Sequence, residues 1–261
     1  MRLLILAGAA ALTACHAGPK VDNRDAQVNA TAEAKAQATQ PVELKAPDGV
    51  TVYGTYYPAA ASRALILLFH QAGSSSGEYA DIAPRLQRAG FAALAIDQRV
   101  GGNLYGANRT MAAYQGKTDY LGALPDLEAA LAWGKAKRMP IVLWGSSYSA
   151  SLVFLLANAA DAKGSVKAVM AFSPGEYFSD RKMVEAAAAK VTVPVFVTSA
   201  NTVEEEAEAK AIVTATRSTD RQQYIPRTGV HGSSTLNATK NPGGADENWN
   251  AVLAFLKRVF P

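Results

Sequence analysis

A serine among small residues, at the end of an apolar run, is the part of this chain best equipped for chemistry. Ile141-Val142-Leu143-Trp144 is short, β-branched and aromatic; Gly145-Ser146-Ser147-Tyr148-Ser149 follows, and an apolar stretch of helical length runs from Ala150 to about Ala157. That order predicts strand, sharp turn and buried helix, with Ser147 at the strained position of a nucleophile elbow. Strand and helix cross closely there, so the residues two before and two after the serine must be very small. Gly145 meets that demand, whereas Ser149 stands where glycine is usual. A serine hydroxyl attacks well only when a neighbouring base takes its proton. Histidine is the side chain that titrates near neutral pH unperturbed. The chain holds three: His16, His70 and His231.

The elements that must position these groups are read from the apolar pattern. Strands are expected at Ala64–Phe69, Ala92–Ile96, Ile141–Trp144, Ala168–Phe172, Val193–Thr198 and Gln222–Ile225. Helices are expected near Tyr79–Ala89, Tyr120–Ala136, Ala150–Ala159, Arg181–Ala189, Glu204–Thr216 and Asn248–Val259. Near-continuous apolar strands separated by helices predict an α/β fold, with a mostly parallel central sheet covered on both faces. Val42-Glu43-Leu44-Lys45, the turn Ala46-Pro47-Asp48-Gly49 and the run Val50–Tyr57 add an N-terminal antiparallel hairpin at one edge. With 261 residues, 49 % of them hydrophobic, the chain suits one large domain, placed at residues 42–261.

Composition narrows the function classes. The net charge of +4 comes from scattered residues, with no Lys/Arg run and no basic residues interleaved with stacking aromatics. Nucleic-acid binding is therefore not expected. A Rossmann-type glycine fingerprint, a P-loop and metal-ligand spacing are all missing, so neither a metal nor an organic cofactor is expected.

The N-terminus carries an address. Met1-Arg2, the short apolar core Leu3–Leu12 and the closing Leu12-Thr13-Ala14-Cys15 have the three-part form of an export signal, placed at residues 1–14. Leu-Thr-Ala-Cys resembles the lipobox of bacterial lipoproteins, which implies cleavage before Cys15 and lipidation of that residue. The next residue is His16 rather than aspartate, which by resemblance to the Gram-negative sorting rule implies the outer membrane, facing the periplasm. Residues 15–41 are rich in Ala, Thr, Gln, Asn and Lys and read as a flexible tether.

Strand order and motif placement together resemble the α/β-hydrolase family, in particular its small dienelactone-hydrolase-like and esterase-like members, over about residues 42 to 261. Four places carry the resemblance. The first is the elbow at Ser147. The second is Leu67-Leu68-Phe69-His70-Gln71-Ala72-Gly73-Ser74, which looks like the family's oxyanion loop with Gln71 where glycine is usual. It implies an oxyanion hole built from the N–H of Gln71 or Ala72 together with that of Tyr148, and His70 as a brace of the loop. The third is Ala95-Ile96-Asp97-Gln98-Arg99-Val100-Gly101-Gly102, resembling the D-x-R-G turn, where Asp97 and Arg99 are expected to hold loops together.

The fourth is His231, in Thr228-Gly229-Val230-His231-Gly232-Ser233, where the family keeps its general base. The acid is less determined. Relatives carry an aspartate after the strand formed here by Val193–Thr198, but this chain has Ser199-Ala200-Asn201-Thr202-Val203-Glu204-Glu205-Glu206. Glu204 is the first candidate and Glu176 the second, with Glu205, Asp180 or no acid at all remaining.

The resemblance implies a serine hydrolase acting through an acyl-enzyme, without cofactor, on small or exposed esters or lactones. The short link between Phe172 and Val193 leaves no room for a large cap domain. Two other readings stay open: a ligand-binding lipoprotein that keeps the fold without hydrolysis, and a peptidase or acyltransferase using the same site.

Overall fold

A computed structural model describes residues 37–159 and 162–261. The expected signal segment, Cys15 and the tether up to residue 36 lie outside the described residues. Eight strands form one sheet in the order β1-β2-β4-β3-β5-β6-β7-β8. They are β1 (Gln40–Lys45), β2 (Thr51–Tyr57), β3 (Leu65–Phe69), β4 (Ala92–Ile96), β5 (Ile141–Ser146), β6 (Val166–Phe172), β7 (Val195–Thr198) and β8 (Arg221–Tyr224). β1 pairs antiparallel with β2, and β2 antiparallel with β4; every other pairing is parallel. The hairpin turns on Gly49, whose φ of 86° suits glycine.

β3, β4 and β5 are buried at every position, as continuous apolar runs covered on both faces must be. Successive side chains leave opposite faces. Leu65, Leu67 and Phe69 therefore join one core with Leu94, Leu143, Leu127, Leu152 and Ile212. Ile66 and Leu68 join the other with Trp144, Phe172, Leu86, Trp249 and Phe255. The helices are α1 (Ile82–Arg88), α2 (Arg109–Ala113), α3 (Leu124–Ala136), α4 (Tyr148–Ala157), α5 (Met183–Ala188), α6 (Val203–Ala215) and α7 (Ala245–Val259), and α1, α3, α4, α6 and α7 supply the helical partners just named.

Differences from the expected elements have local causes. The helix expected from Tyr79 begins at Ile82, because Ser76–Tyr79 is a separate 3-10 turn in which the Ser75 hydroxyl accepts the Gly77 N–H. The helix expected from Tyr120 is a 3-10 turn at Leu121–Ala123 followed by α3, whose start holds Pro125, a residue that needs no N–H acceptor there. α2 was not anticipated; it is short and capped by Asn108, whose side chain accepts the Met111 N–H. The link from β6 to β7 carries only α5, so no large cap stands over the sheet.

Three aspartates and one arginine lock the loops beyond β4. Arg99 donates to Asp126 Oδ1 from Nε at 3.0 Å and from Nη2 at 2.7 Å, and its Nη2 also reaches Asp48 Oδ1 at 3.0 Å. Asp97 accepts the N–H groups of Ser76 and Arg109, each at 2.8 Å. Hairpin turn, oxyanion loop and α3 are thereby tied together, the bracing role expected for Asp97 and Arg99.

Candidate active site

β5 ends at Ser146 and α4 starts at Tyr148, leaving Ser147 alone to make the turn. Its φ of 59° and ψ of −125° are strained for a residue with a side chain, a conformation costing about 1–3 kcal/mol. Ser147 N–H donates to Phe172 O at 2.8 Å, and Ala150 N–H donates to Ser147 O at 2.8 Å, which holds the turn. The crossing is tight: a Cβ on Gly145 would lie 2.2 Å from Ser149 O. Ser149 is accommodated because its hydroxyl has partners, donating to His70 O at 2.7 Å and accepting from Gln98 Nε2 at 2.6 Å.

His231 sits on the loop after β8. Its Nε2 lies 2.8 Å from Ser147 Oγ, and its Nδ1 lies 2.8 Å from Glu205 Oε1. Two residues 84 positions apart in sequence therefore meet at the carboxyl edge of the sheet. The loop is pinned from both sides: Gly232 N–H donates to Ser173 Oγ at 2.9 Å, and Ser233 N–H to Ser146 Oγ at 2.8 Å. Gly232 has φ 66°, and a Cβ there would approach Ser146 Oγ to 2.4 Å.

The carboxylate behind the ring is Glu205, which corrects the expectation for Glu204. α6 is capped by Thr202, whose hydroxyl accepts the Glu205 N–H at 3.3 Å. One helical step is about 100°, so Glu204 points into solvent while Glu205 folds back over the cap. Glu205 Oε2 also accepts the Ala200 N–H at 3.0 Å. Burial by itself would raise the Glu205 pKa, but the His231 ring, the Ser173 hydroxyl and the Ala200 N–H together bring it down to about 2. The same bond raises the His231 pKa above its ordinary 6.5, against the opposing effect of burial. Glu176 is engaged elsewhere, accepting the N–H groups of Val184 and Glu185 at 3.0 and 2.8 Å.

The oxyanion loop also differs in detail from expectation. Gln71 N–H is already donated to Glu78 Oε2 at 2.8 Å, so of the two loop donors considered Ala72 is the one left to face an oxyanion. Tyr148 N–H opens α4, where no helical carbonyl precedes it. His70 is fully buried and burial pushes its pKa down to about 4, leaving it neutral. Its Nε2 accepts the Gln98 N–H at 2.9 Å and its Nδ1 faces Gln71 O at 2.8 Å. Both ring nitrogens are thereby engaged by the backbone, and the ring braces the loop.

Among the described residues no group of His, Cys, Asp and Glu is arranged to hold a metal. Two surface clefts of about 400 and 480 Å³ are lined by Asn158, Lys163 and Lys190 and by Lys45, Glu128 and Leu131. Neither includes Ser147. Beside Ser147 stands Tyr177, whose hydroxyl donates to Ser173 O at 2.9 Å, and Tyr120 stacks on the Tyr148 ring at 4.8 Å. Glu78, Ser146 and Ser173 went unnoticed in the sequence. Ser75-x-x-Glu78 has the spacing of a helix-capping box, a pattern that assigns Glu78 to the backbone and gives no hint that it turns inward.

The model of the family described as serine aminopeptidase S33 matches residues 60–223. The chain belongs to this family of α/β-hydrolases. Ser147 and Glu205 lie within the matched segment of the hydrolase, and His231 lies just beyond it. No curated protein matches. Among solved structures, an esterase of Pyrococcus furiosus superposes with a TM-score of 0.64 at 17 % identity, over 95 % of this chain and 100 % of that one. A dienelactone hydrolase of Anabaena variabilis gives 0.66 at 17 % identity, over 86 % and 99 %. A monoglyceride lipase of Saccharomyces cerevisiae gives 0.62 at 15 %, over 87 % and 98 %. At these identities the likeness to this hydrolase is one of fold.

Proposed function

We propose that this protein is a serine hydrolase that cleaves carboxylic ester or lactone bonds through an acyl-enzyme. The observation that carries the reading is the continuous chain Ser147 Oγ, His231 and Glu205, linked by two contacts of 2.8 Å. Ser147 attacks the acyl carbonyl as His231 Nε2 takes its proton. Glu205 holds the ring through Nδ1–H and stabilises the imidazolium. The N–H groups of Tyr148 and Ala72 receive the developing oxyanion, helped by the positive end of α4. His231 then passes its proton to the leaving oxygen. Water, deprotonated by the same ring, releases the acid and restores Ser147.

Substrate size follows from access. Ser147 is 6 % exposed, but the His231 side chain is 42 % exposed and only α5 lies in the link where a cap would stand. An open site of this kind suits small acyl groups or esters exposed on larger molecules. The Leu12-Thr13-Ala14-Cys15 motif supports the further reading that the enzyme is anchored to the cell envelope through a lipidated Cys15, facing the periplasm from the outer membrane. Incorporation of labelled palmitate, lost in Cys15→Ser, is the expected result; equal labelling of both forms refutes the anchor.

A fluorophosphonate probe tests the chemistry. Wild type should be labelled, Ser147→Ala should not, and hydrolysis of p-nitrophenyl acetate should fall on the order of 10⁴-fold or more in that variant. A folded wild type that is neither labelled nor active would instead support a ligand-binding protein built on this fold.

A further inference from the structure

Glu78 stands outside the triad yet is bonded to the oxyanion loop and to the elbow, and through Ser146 it reaches the loop of His231. It belongs to the 3-10 turn Ser76–Tyr79 and is 3 % exposed. Its Oε2 accepts the Gln71 N–H at 2.8 Å, on the loop that carries Ala72. Its Oε1 accepts the hydroxyl of Ser146, the residue before the nucleophile, at 2.7 Å. The same Ser146 oxygen receives the N–H of Ser233, two residues beyond His231, at 2.8 Å. Ser74 adds a further hydroxyl donor. All of these partners act as donors, and an ionised carboxylate, which only accepts, satisfies them together.

A buried anion is costly, and burial raises the Glu78 pKa to about 7 despite those bonds. No lysine or arginine is among its hydrogen-bond partners. The titratable groups around it are Tyr79, Tyr105, Tyr148 and His231, with Asp97 bonded to Ser76 N–H on the same turn and His70 beside Gln71. Only His231 gains positive charge during the proposed reaction, and Glu78 favours that charge electrostatically.

Building on the serine-hydrolase reading, we propose that Glu78 is an anionic positioning residue: it holds the oxyanion loop, the elbow and the His231 loop in register, and its charge supports the imidazolium of His231. The carboxylate reaches the reaction through Gln71 and Ser146 and touches no substrate.

Glu78→Gln is the direct test. An amide has one acceptor oxygen and one donor group, so it cannot accept from Gln71 N–H and the Ser146 hydroxyl on separate oxygens. Plateau kcat on p-nitrophenyl acetate should fall roughly ten- to a hundredfold, with KM within about threefold. The acid limb of the pH profile should move to lower pH by roughly half a unit, because a negative charge near His231 has gone. Glu78→Asp keeps the charge and should return the limb to the wild-type position with only part of the rate.

Ser146→Ala keeps the Glu78 carboxylate but removes the hydroxyl that joins it to the elbow and to the Ser233 N–H, so it should lower the plateau and leave the limb in place. That variant also keeps the test open if Glu78→Gln does not fold. A wild-type plateau in Ser146→Ala, or an unmoved acid limb in folded Glu78→Gln, overturns the proposal. If wild type and Glu78→Gln take up the fluorophosphonate equally fast, this inference fails while the hydrolase reading stands. If wild type takes up none, the hydrolase reading itself fails.

Discussion

Replacing Glu205 with glutamine keeps the side chain's shape and removes its charge. The carboxyl is held at about 2 against an ordinary 4.5, and its side chain is 24 % exposed. That gap corresponds to about 3 kcal/mol in favour of the ionised form, at 1.36 kcal/mol for each tenfold. Ala200 N–H and Ser173 supply part of it in the resting enzyme, whereas the His231 part grows as the ring becomes imidazolium. The expected loss in kcat is therefore on the order of 10²-fold. It is larger if the glutamine amide donates to Nδ1 and turns the ring to the wrong tautomer.

The pH dependence has a definite sign. In the proposed mechanism His231 must be neutral to accept the Ser147 proton, so activity should rise with pH through its pKa. Glu205 raises that pKa, and its removal should move the acid limb to lower pH. Glu205 itself is depressed, so its stabilising effect is present above pH 4.5 and is lost as pH falls toward 2. Glu205→Gln should accordingly unfold at lower denaturant than wild type at neutral pH, with the gap closing in acid. Steady-state hydrolysis of p-nitrophenyl acetate across both pH limbs measures the first effect, and urea unfolding followed by circular dichroism the second. Glu204→Gln is the control, exposed and away from His231. If Glu205→Gln kept activity within about threefold of wild type, or if Glu204→Gln lost as much, the assignment of the acid would be refuted.

Three further outcomes are expected. Ser149→Gly restores the residue usual at that position, but it forfeits the bonds with His70 O and Gln98 Nε2; stability should fall by about 1–2 kcal/mol in urea unfolding. Gly145→Ala drives a Cβ to 2.2 Å from Ser149 O and should cost about 3 kcal/mol or prevent folding, read by the soluble yield and thermal midpoint. Arg99→Met leaves the fully buried Asp126 without its cation and should lower stability by about 3–5 kcal/mol, while Arg99→Met with Asp126→Leu should recover most of it.

What was legible in the residues depended on how local the signal is. Runs such as Leu65–Phe69 and Ile141–Trp144 announce buried parallel strands because every position is apolar, and their spacing leaves room for one crossover helix each. The elbow was legible because Gly145 and the serines flank a strand end. His231 was legible because so few histidines compete for the role. Phase is harder. Three consecutive glutamates at the start of α6 differ by about 100° per step, and apolar periodicity does not say which one turns inward. The capping spacing Thr202-x-x-Glu205 brings the third helical residue back toward the cap, but that its carboxylate then meets the Ala200 N–H and His231 is set by the fold.

The oxyanion loop shows a different barrier. Whether Gln71 or Ala72 keeps a free N–H is decided by Glu78, whose inward turn is held by the hydroxyl of Ser146, 68 positions away in sequence, and the Ser146 oxygen in turn accepts the Ser233 N–H from 87 positions further on. Motifs locate the parts of such a site, but the direction of each donor is settled by the buried carboxylate that they share. A reading of Ser149 as a defect fails for the same reason. The space a glycine would leave open is filled here by a hydroxyl that joins β3's end to Gln98, so the elbow is braced where its pattern is broken.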